Sequence, residues 1–185
     1  MAAIESERGW RSTWFVLMRT EMYNAWSKAA VADLRAMIAD GHEIGLHLDA
    51  SLYDDATIDA GAAAECAALE TILGAPVRMV SFHRPARALL GADRAIAGRP
   101  HADMPRFTRD LGYCSDSRGG WHHGHPWAHP AVADGQALQL LTHAIWWVGP
   151  DDRDARGRLV DGLAEASARI ERDLAENNVV WRTPR

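Results

Sequence analysis

The stretch Gly41–Asp49, GHEIGLHLD, decides the fold. It begins where a helical pattern stops. Ser27 is a good N-cap, and Ala30, Val31, Leu34, Met37 and Ile38 then recur at helical spacing. Gly41 suits the position just past a helix C-terminus. His42–His47, HEIGLH, reads as the end of a strand, and Leu48–Asp55 as a polar turn. Upstream, Arg11–Met18 is a short apolar run rich in β-formers, followed by a loop over Arg19–Trp26. Downstream, Ala56–Leu73 reads as an Ala-rich helix closed by Gly74, Val77–Phe82 as a strand and Ala86–Ala97 as a short helix, with a loop through Arg106. Gly112–Ser115 is a short strand, Asp116–Pro130 a loop full of Gly, His and Trp, Ala137–Thr142 a strand and Ala144–Asp152 another loop. Arg156–Glu176 closes the pattern as a long amphipathic helix. Its stripe of Leu159, Leu163, Ile170 and Leu174 is expected to pack on the core, with a partner helix as the alternative. Strands alternating with helices predict an α/β fold with a largely parallel sheet. Sites in such folds lie at the carboxyl ends of the strands.

Composition narrows the function classes. The chain has 185 residues, 48% hydrophobic and 24% charged, which suits one globular domain with a real core. Its formal charge of −5 argues against general nucleic-acid binding, which needs clustered positive charge. No apolar run approaches the roughly 20 residues of a membrane span, and the N-terminus has no signal-peptide pattern. Cys66 and Cys114 lie far apart and read as small buried residues, which suits a reducing cytoplasm. The 9 His and 8 Trp stand out: histidine handles protons and metals, and tryptophan offers flat apolar walls to sugar rings.

The chemistry gathers where apolar runs end. The second strand ends at His47, with Asp49 two residues on. The third ends at His83, followed by Arg84 and Pro85. The fourth ends at Asp116, and the fifth at His143, followed by Trp146 and Trp147. In a parallel sheet these ends lie side by side, so the residues are expected to converge on one face. Histidines with nearby carboxylates suit a divalent metal such as zinc, and equally a general acid with its orienting partner. His42 and His47 are five positions apart and so cannot form the helical HExxH zinc motif. On a strand they face opposite sides, which makes His42 structural. His122, His123 and His125 read as solvated loop residues. Arg87, Arg94, Arg99 and Arg106 read as a solvated surface, with an anion-binding rim as the alternative.

At these residues the sequence resembles the polysaccharide deacetylase superfamily, carbohydrate esterase family four, the nodulation-type chitooligosaccharide deacetylase domain. Four blocks carry the resemblance in order: GHEIGLHLD at 41–49, SFHRP at 81–85, CSDSRGGW at 114–121 and LQLLTHAIWW at 138–147. RSTWFVL with Tyr23-Asn24 resembles a branch found in surface-polysaccharide gene clusters. The resemblance implies a distorted, incomplete parallel (β/α) barrel over residues 1–150, with 151–185 as a C-terminal amphipathic helix and tail of the same domain. It implies metal-dependent hydrolysis of acetyl groups, at C–N amide bonds, on a sugar or polysaccharide intermediate. His47 matches a metal-binding histidine, Arg84 the arginine that orients the catalytic Asp, and His143 the catalytic histidine that protonates the leaving amine. Asp116 matches the carboxylate that holds that histidine, and Trp121 the wall of the acetyl pocket.

Two departures from the family pattern matter. The family's first strand ends in an Asp-Asp pair, one the base and one a metal ligand, and nothing here precedes MAAIESERGW. The second metal histidine normally lies four positions after the first, and here that position is Ser51. Asp49 or His83 is expected to supply the ligand beside His47, with zinc as the metal. The chain is expected to start at an internal Met and to lack the first barrel strand, and so to be truncated and impaired. A naturally inactive homologue is the other possibility. The expected assignment is therefore His143, Asp116 and Arg84 as catalytic residues, Trp121, Trp146 and Trp147 on the substrate, and His47, Asp49 and His83 on the metal, in a cytoplasmic protein without a membrane span or nucleic-acid partner. Two rivals remain at this stage: a non-catalytic carbohydrate- or partner-binding remnant, and a different metal hydrolase built on His47, Asp49 and His83.

Overall fold

A computed structural model describes residues 1–122, 124–147, 149 and 152–181. His123 and the residues after Trp181 therefore lie outside the described residues, as do parts of the 144–152 loop. The chain divides into two compact units, Met1–Asp110 and Leu111–Arg185.

The first unit is a three-stranded parallel sheet with two long helices. Its elements are α1 (Ala2–Glu7), β1 (Thr13–Val16), α2 (Lys28–Ala39), β2 (Glu43–Asp49), α3 (Ile58–Leu73), β3 (Val80–His83) and the short α4 (Pro105–Thr108). β2 is central, pairing with β1 from Thr13↔Glu43 to Val16↔Leu46 and with β3 from Leu46↔Val80 to Asp49↔His83. The Ser27 hydroxyl caps α2 by accepting from Ala30 N at 3.2 Å. Gly41 follows that helix at φ +90°, a conformation that costs a side chain, and a Cβ there would strike Arg11.

Side-chain alternation along β2 assigns the two sheet faces. Ile44, Leu46 and Leu48, with Val80 and Phe82 of β3, enter the core. Ile58, Ala62, Cys66, Leu69, Ile72 and Leu73 of α3 recur at helical spacing and fill that core. Val31, Leu34, Met37 and Ile38 of α2 pack against it from the side. Full burial of a Leu contributes about 1.5–3 kcal/mol, so this face fixes the strand register. The opposite face of β2 carries Gly45, His47 and Asp49. The outer edge of β3 is closed by residues 100–102: Val80 N donates to Pro100 O at 3.0 Å, and Ala102 N donates to Val80 O at 2.9 Å.

The second unit holds β4 (Gly112–Ser115), α5 (Pro130–Ala133), β5 (Leu138–Leu141) and α6 (Ala155–Asn177). β4 and β5 pair in parallel from Gly112↔Leu138 to Ser115↔Leu141. Asp154 caps α6, accepting from Gly157 N at 2.7 Å.

Several expectations need correction. All strand pairing among the described residues is parallel, as expected for α/β. The five strands of the described residues nevertheless divide into sheets of three and two and form no closed barrel among them. Ala86–Ala97 is a single turn at Arg87–Leu89 followed by irregular chain. Gly91 breaks the helix, and the Asp59 carboxylate pins the far end by accepting from Ala97 N at 2.6 Å and Arg94 Nη1 at 2.8 Å. Leu89 and Ile96 still reach the core. The stripe of α6 does not pack as expected: no residue of the helix is buried, and Leu163 is 73% exposed. β2 also runs two residues further than HEIGLH, to Asp49, which gives Asp49 and His83 a common register.

Candidate functional site

In the first unit, alternation and register place His47, Asp49, Ser81 and His83 on the sheet face opposite the core. His47 Nδ1 lies 2.7 Å from Ser81 Oγ, the residue opposite it in register. The rings of His47 and His83 meet edge to face, with centroids 5.4 Å apart. Asp49 is buried at 1% exposure and is fully engaged. Arg84 Nε donates to Asp49 Oδ1 at 3.2 Å, while Arg84 Nη2 donates to Oδ2. Ser51 adds its backbone N–H at 3.2 Å and its hydroxyl at 2.7 Å, both to Oδ1. Burial alone pushes this carboxyl up. The hydrogen bonds from Arg84 and Ser51, with the guanidinium charge, outweigh it and pull the carboxyl down to about 2.

This engagement bears on the expected metal site. A carboxylate holding a two-pronged guanidinium and a serine has little left to offer a cation. Among the described residues, no group of three or more His, Cys, Asp or Glu side chains is placed to hold a metal ion. Of the expected set, His47 and His83 form a pair of touching imidazoles, and Asp49 lies in an ion pair with Arg84. A divalent metal of the kind the sequence resemblance implies does not fit these residues.

In the second unit, Asp116 follows β4 and continues its ladder, its N–H donating to Leu141 O at 3.2 Å. Ser115 Oγ and Ser117 Oγ lie 2.6 Å apart, and Ser117 N donates to Ser115 Oγ at 3.1 Å, which sets the turn after the strand. Asp116 is almost fully buried, and both of its oxygens go to one residue. Oδ1 lies 2.7 Å from His143 Nδ1, and Oδ2 accepts from His143 N at 3.0 Å. A carboxylate facing Nδ1 selects the tautomer with its proton on that atom and turns Nε2 outward. The His143 side chain is 40% exposed. This is the arrangement of a proton-handling imidazole held from behind.

The tryptophans are spread around this unit. A Cβ on Gly119 would touch the Trp146 ring at 3.6 Å, so that indole lies against the turn that follows Asp116. Trp121 packs edge-on to His125, with centroids 5.8 Å apart. His125 and His129 cap short turns, accepting from Trp127 N at 3.3 Å and Ala131 N at 3.2 Å. His42 is structural as expected: it is buried, takes the Ser12 N–H on Nδ1 at 3.2 Å and places Nε2 3.0 Å from Ala2 O. Cys66 and Cys114 are free and buried, and burial pushes the Cys66 thiol up to about 11.

Sequence reading missed three polar residues of the first unit. Arg19, just past β1, donates from Nη1 to the Tyr53 hydroxyl at 3.3 Å, and Tyr53 donates to buried Glu65 Oε1 at 2.6 Å. A carboxylate inside the apolar stripe of α3 was the available signal.

Neither a family model nor a curated protein matches this chain. Among solved structures it is similar to a family 4 acetyl xylan esterase from Clostridium thermocellum, determined with a cobalt ion. Identity is 15%, the match covers 91% of this chain and 77% of that one, and the TM-score is 0.40. No helix among the described residues is long and apolar enough to cross a membrane.

Proposed function

We propose that the chain is a carbohydrate-deacetylase-like protein that recognises an acetylated sugar and carries the acid half of the hydrolytic machinery. The observation that supports this reading is the Asp116–His143 pair, with both carboxylate oxygens on one histidine whose side chain remains partly exposed. In the hydrolysis of an N-acetyl group, water adds its oxygen to the acetyl carbon, gives up its proton to solvent, and the C–N bond breaks. His143, in its imidazolium form, gives its Nε2 proton to the departing amine. Asp116 fixes the ring through this exchange, and Trp121, Trp146 and Trp147 offer apolar faces to the sugar. The resemblance in the sequence supplies the substrate class and the setting, cytoplasmic surface-polysaccharide metabolism.

With Asp49 committed to Arg84 and Ser51, added zinc is expected to leave acetate release from N-acetylated oligosaccharides unchanged. Binding is the direct readout. Adding N-acetylated chito-oligosaccharide should shift the His143 imidazole nitrogen signals, and the deacetylated oligomer should not. Absence of that shift at tens of millimolar sugar would sink the reading, as would acetate release that survives His143→Ala.

A further inference from the structure

The polar end of the first unit holds two arginines built alike. Arg19 lies just beyond β1 and Arg84 just beyond β3, on either side of the central strand β2. Each is anchored from behind by a buried acid. Arg84 rests on Asp49 directly through Nε and Nη2. Arg19 rests on Tyr53, whose own hydroxyl proton is spent on Glu65, so the phenol oxygen is free to accept. Both acids lie inside the fold, and both guanidiniums face out; the Arg84 side chain is 61% exposed. Among the described residues, Nη1 of Arg84 and Nε and Nη2 of Arg19 have no partner. Solvent therefore meets two positive forks at the carboxyl ends of a parallel sheet, on a chain whose net charge is −5.

Two further observations separate this from an accidental surface pair. Arg84 adopts φ +51° immediately before Pro85, where an ordinary residue takes an extended conformation. A non-glycine residue kept in the left-handed region marks a position where direction matters more than backbone comfort. Second, the ring of Tyr53 lies on α3 over Gly61, where any Cβ would collide with it. The bare helix surface lets the phenol reach Glu65 one turn on, and so sets the position of Arg19.

We propose that Arg19 and Arg84 form a binding site for an oxyanion, a carboxylate or phosphoryl group, on the ligand of the first unit. The two sources share one chemistry, since a planar guanidinium matches either oxyanion with paired N–H donors. Binding at this site needs no turnover.

Titration of the full chain with inorganic phosphate and, separately, with glucuronate tests the proposal, read from arginine Nε–Hε signals by NMR. Saturable shifts at Arg19 and Arg84 are expected with at least one anion, and the anion that saturates identifies the source. Arg19→Gln should weaken binding about tenfold or more, and Tyr53→Phe should weaken it while leaving both charges in place. Arg84→Lys keeps the charge and the partner of Asp49 but loses the fork, so it too should bind more weakly. Arg78→Gln, which removes an exposed arginine paired with Glu43, should change nothing. Shifts that never saturate, equal loss in Arg78→Gln, or unchanged binding in both Arg19→Gln and Tyr53→Phe would overturn the site.

Discussion

Asp49 and Asp116 occupy equivalent places in the two units. Each lies at the carboxyl end of a parallel strand, each is almost wholly buried, and each gives both oxygens to one more exposed residue. They differ in what they hold. The guanidinium of Arg84 stays charged at any ordinary pH, so Asp49 can only aim it. The imidazole of His143 has one nitrogen held by Asp116 and a second that can give or take a proton, so Asp116 holds a group that can do work on a substrate. The same carboxylate geometry thus makes a fixed charge in one unit and a proton carrier in the other.

The largest expected effect comes from removing the fixed charge. Arg84→Met leaves Asp49 buried without its cation, and loss of one partner of a buried pair costs about 3 kcal/mol or more. Chemical denaturation at pH 7 should register that loss in the first unit. The pH dependence should also weaken. With Arg84 gone, burial still raises the Asp49 carboxyl and only the Ser51 hydrogen bonds lower it, so less stability should be lost between pH 4 and pH 2. A variant with parental stability at pH 7 would mean that Asp49 does not depend on Arg84.

In the parent the dependence has its full size. The Asp49 carboxyl sits at about 2 when folded, against about 3.9 for a free Asp side chain. Its stabilisation is complete above about pH 4 and is lost as pH falls towards 2, amounting to about 2 kcal/mol. Thermal melts across that window should show the loss, and Asp49→Asn should flatten it. A smaller effect is expected at the second carboxylate. Asp116→Asn should cost about 1–2 kcal/mol for its weakened hold on two N–H groups. It should also release the tautomer preference of His143, visible in the imidazole nitrogen shifts. If those shifts stay as in the parent, Asp116 does not orient the ring.

The smallest effect separates the scaffolds beneath the two sites. Leu69 of α3 is wholly buried, whereas Leu163 of α6 is 73% exposed. Leu163→Ser should therefore change stability by no more than about 0.5 kcal/mol, and Leu69→Ala, by contrast, should cost several times that. Equal costs in parallel denaturation curves would contradict the exposure of α6.

Much of this was legible before the structure. Ser27 and Gly41 bracket α2, and the apolar positions of α3 spell out its buried face. These are signals between near neighbours in the chain. The strand-end positions of His47, Asp49, His83, Asp116 and His143 were readable because apolar runs stop there. Other features depend on distant pairings. Division of five strands into two sheets is set by hydrogen bonds between remote segments, and no local pattern reports it. The stripe on α6 shows that amphipathic spacing states what a helix could bury, without stating that it does. The Asp49–Arg84 pairing was not legible, because a carboxylate reads the same in sequence whether it is free or already engaged. Arg19 and Tyr53 lie 34 residues apart and were invisible as a pair.

The bare patch of α3 at Gly61 has a practical consequence. It works as a spacer of zero thickness: the phenol of Tyr53 rests directly on the helix backbone, and its hydroxyl stands at the height that Glu65 and Arg19 require. One methyl group added there would lift the ring as a shim lifts a lever. It would reach the arginine at the sheet edge without altering a single charge, which makes Gly61 a mechanical control over an electrostatic feature.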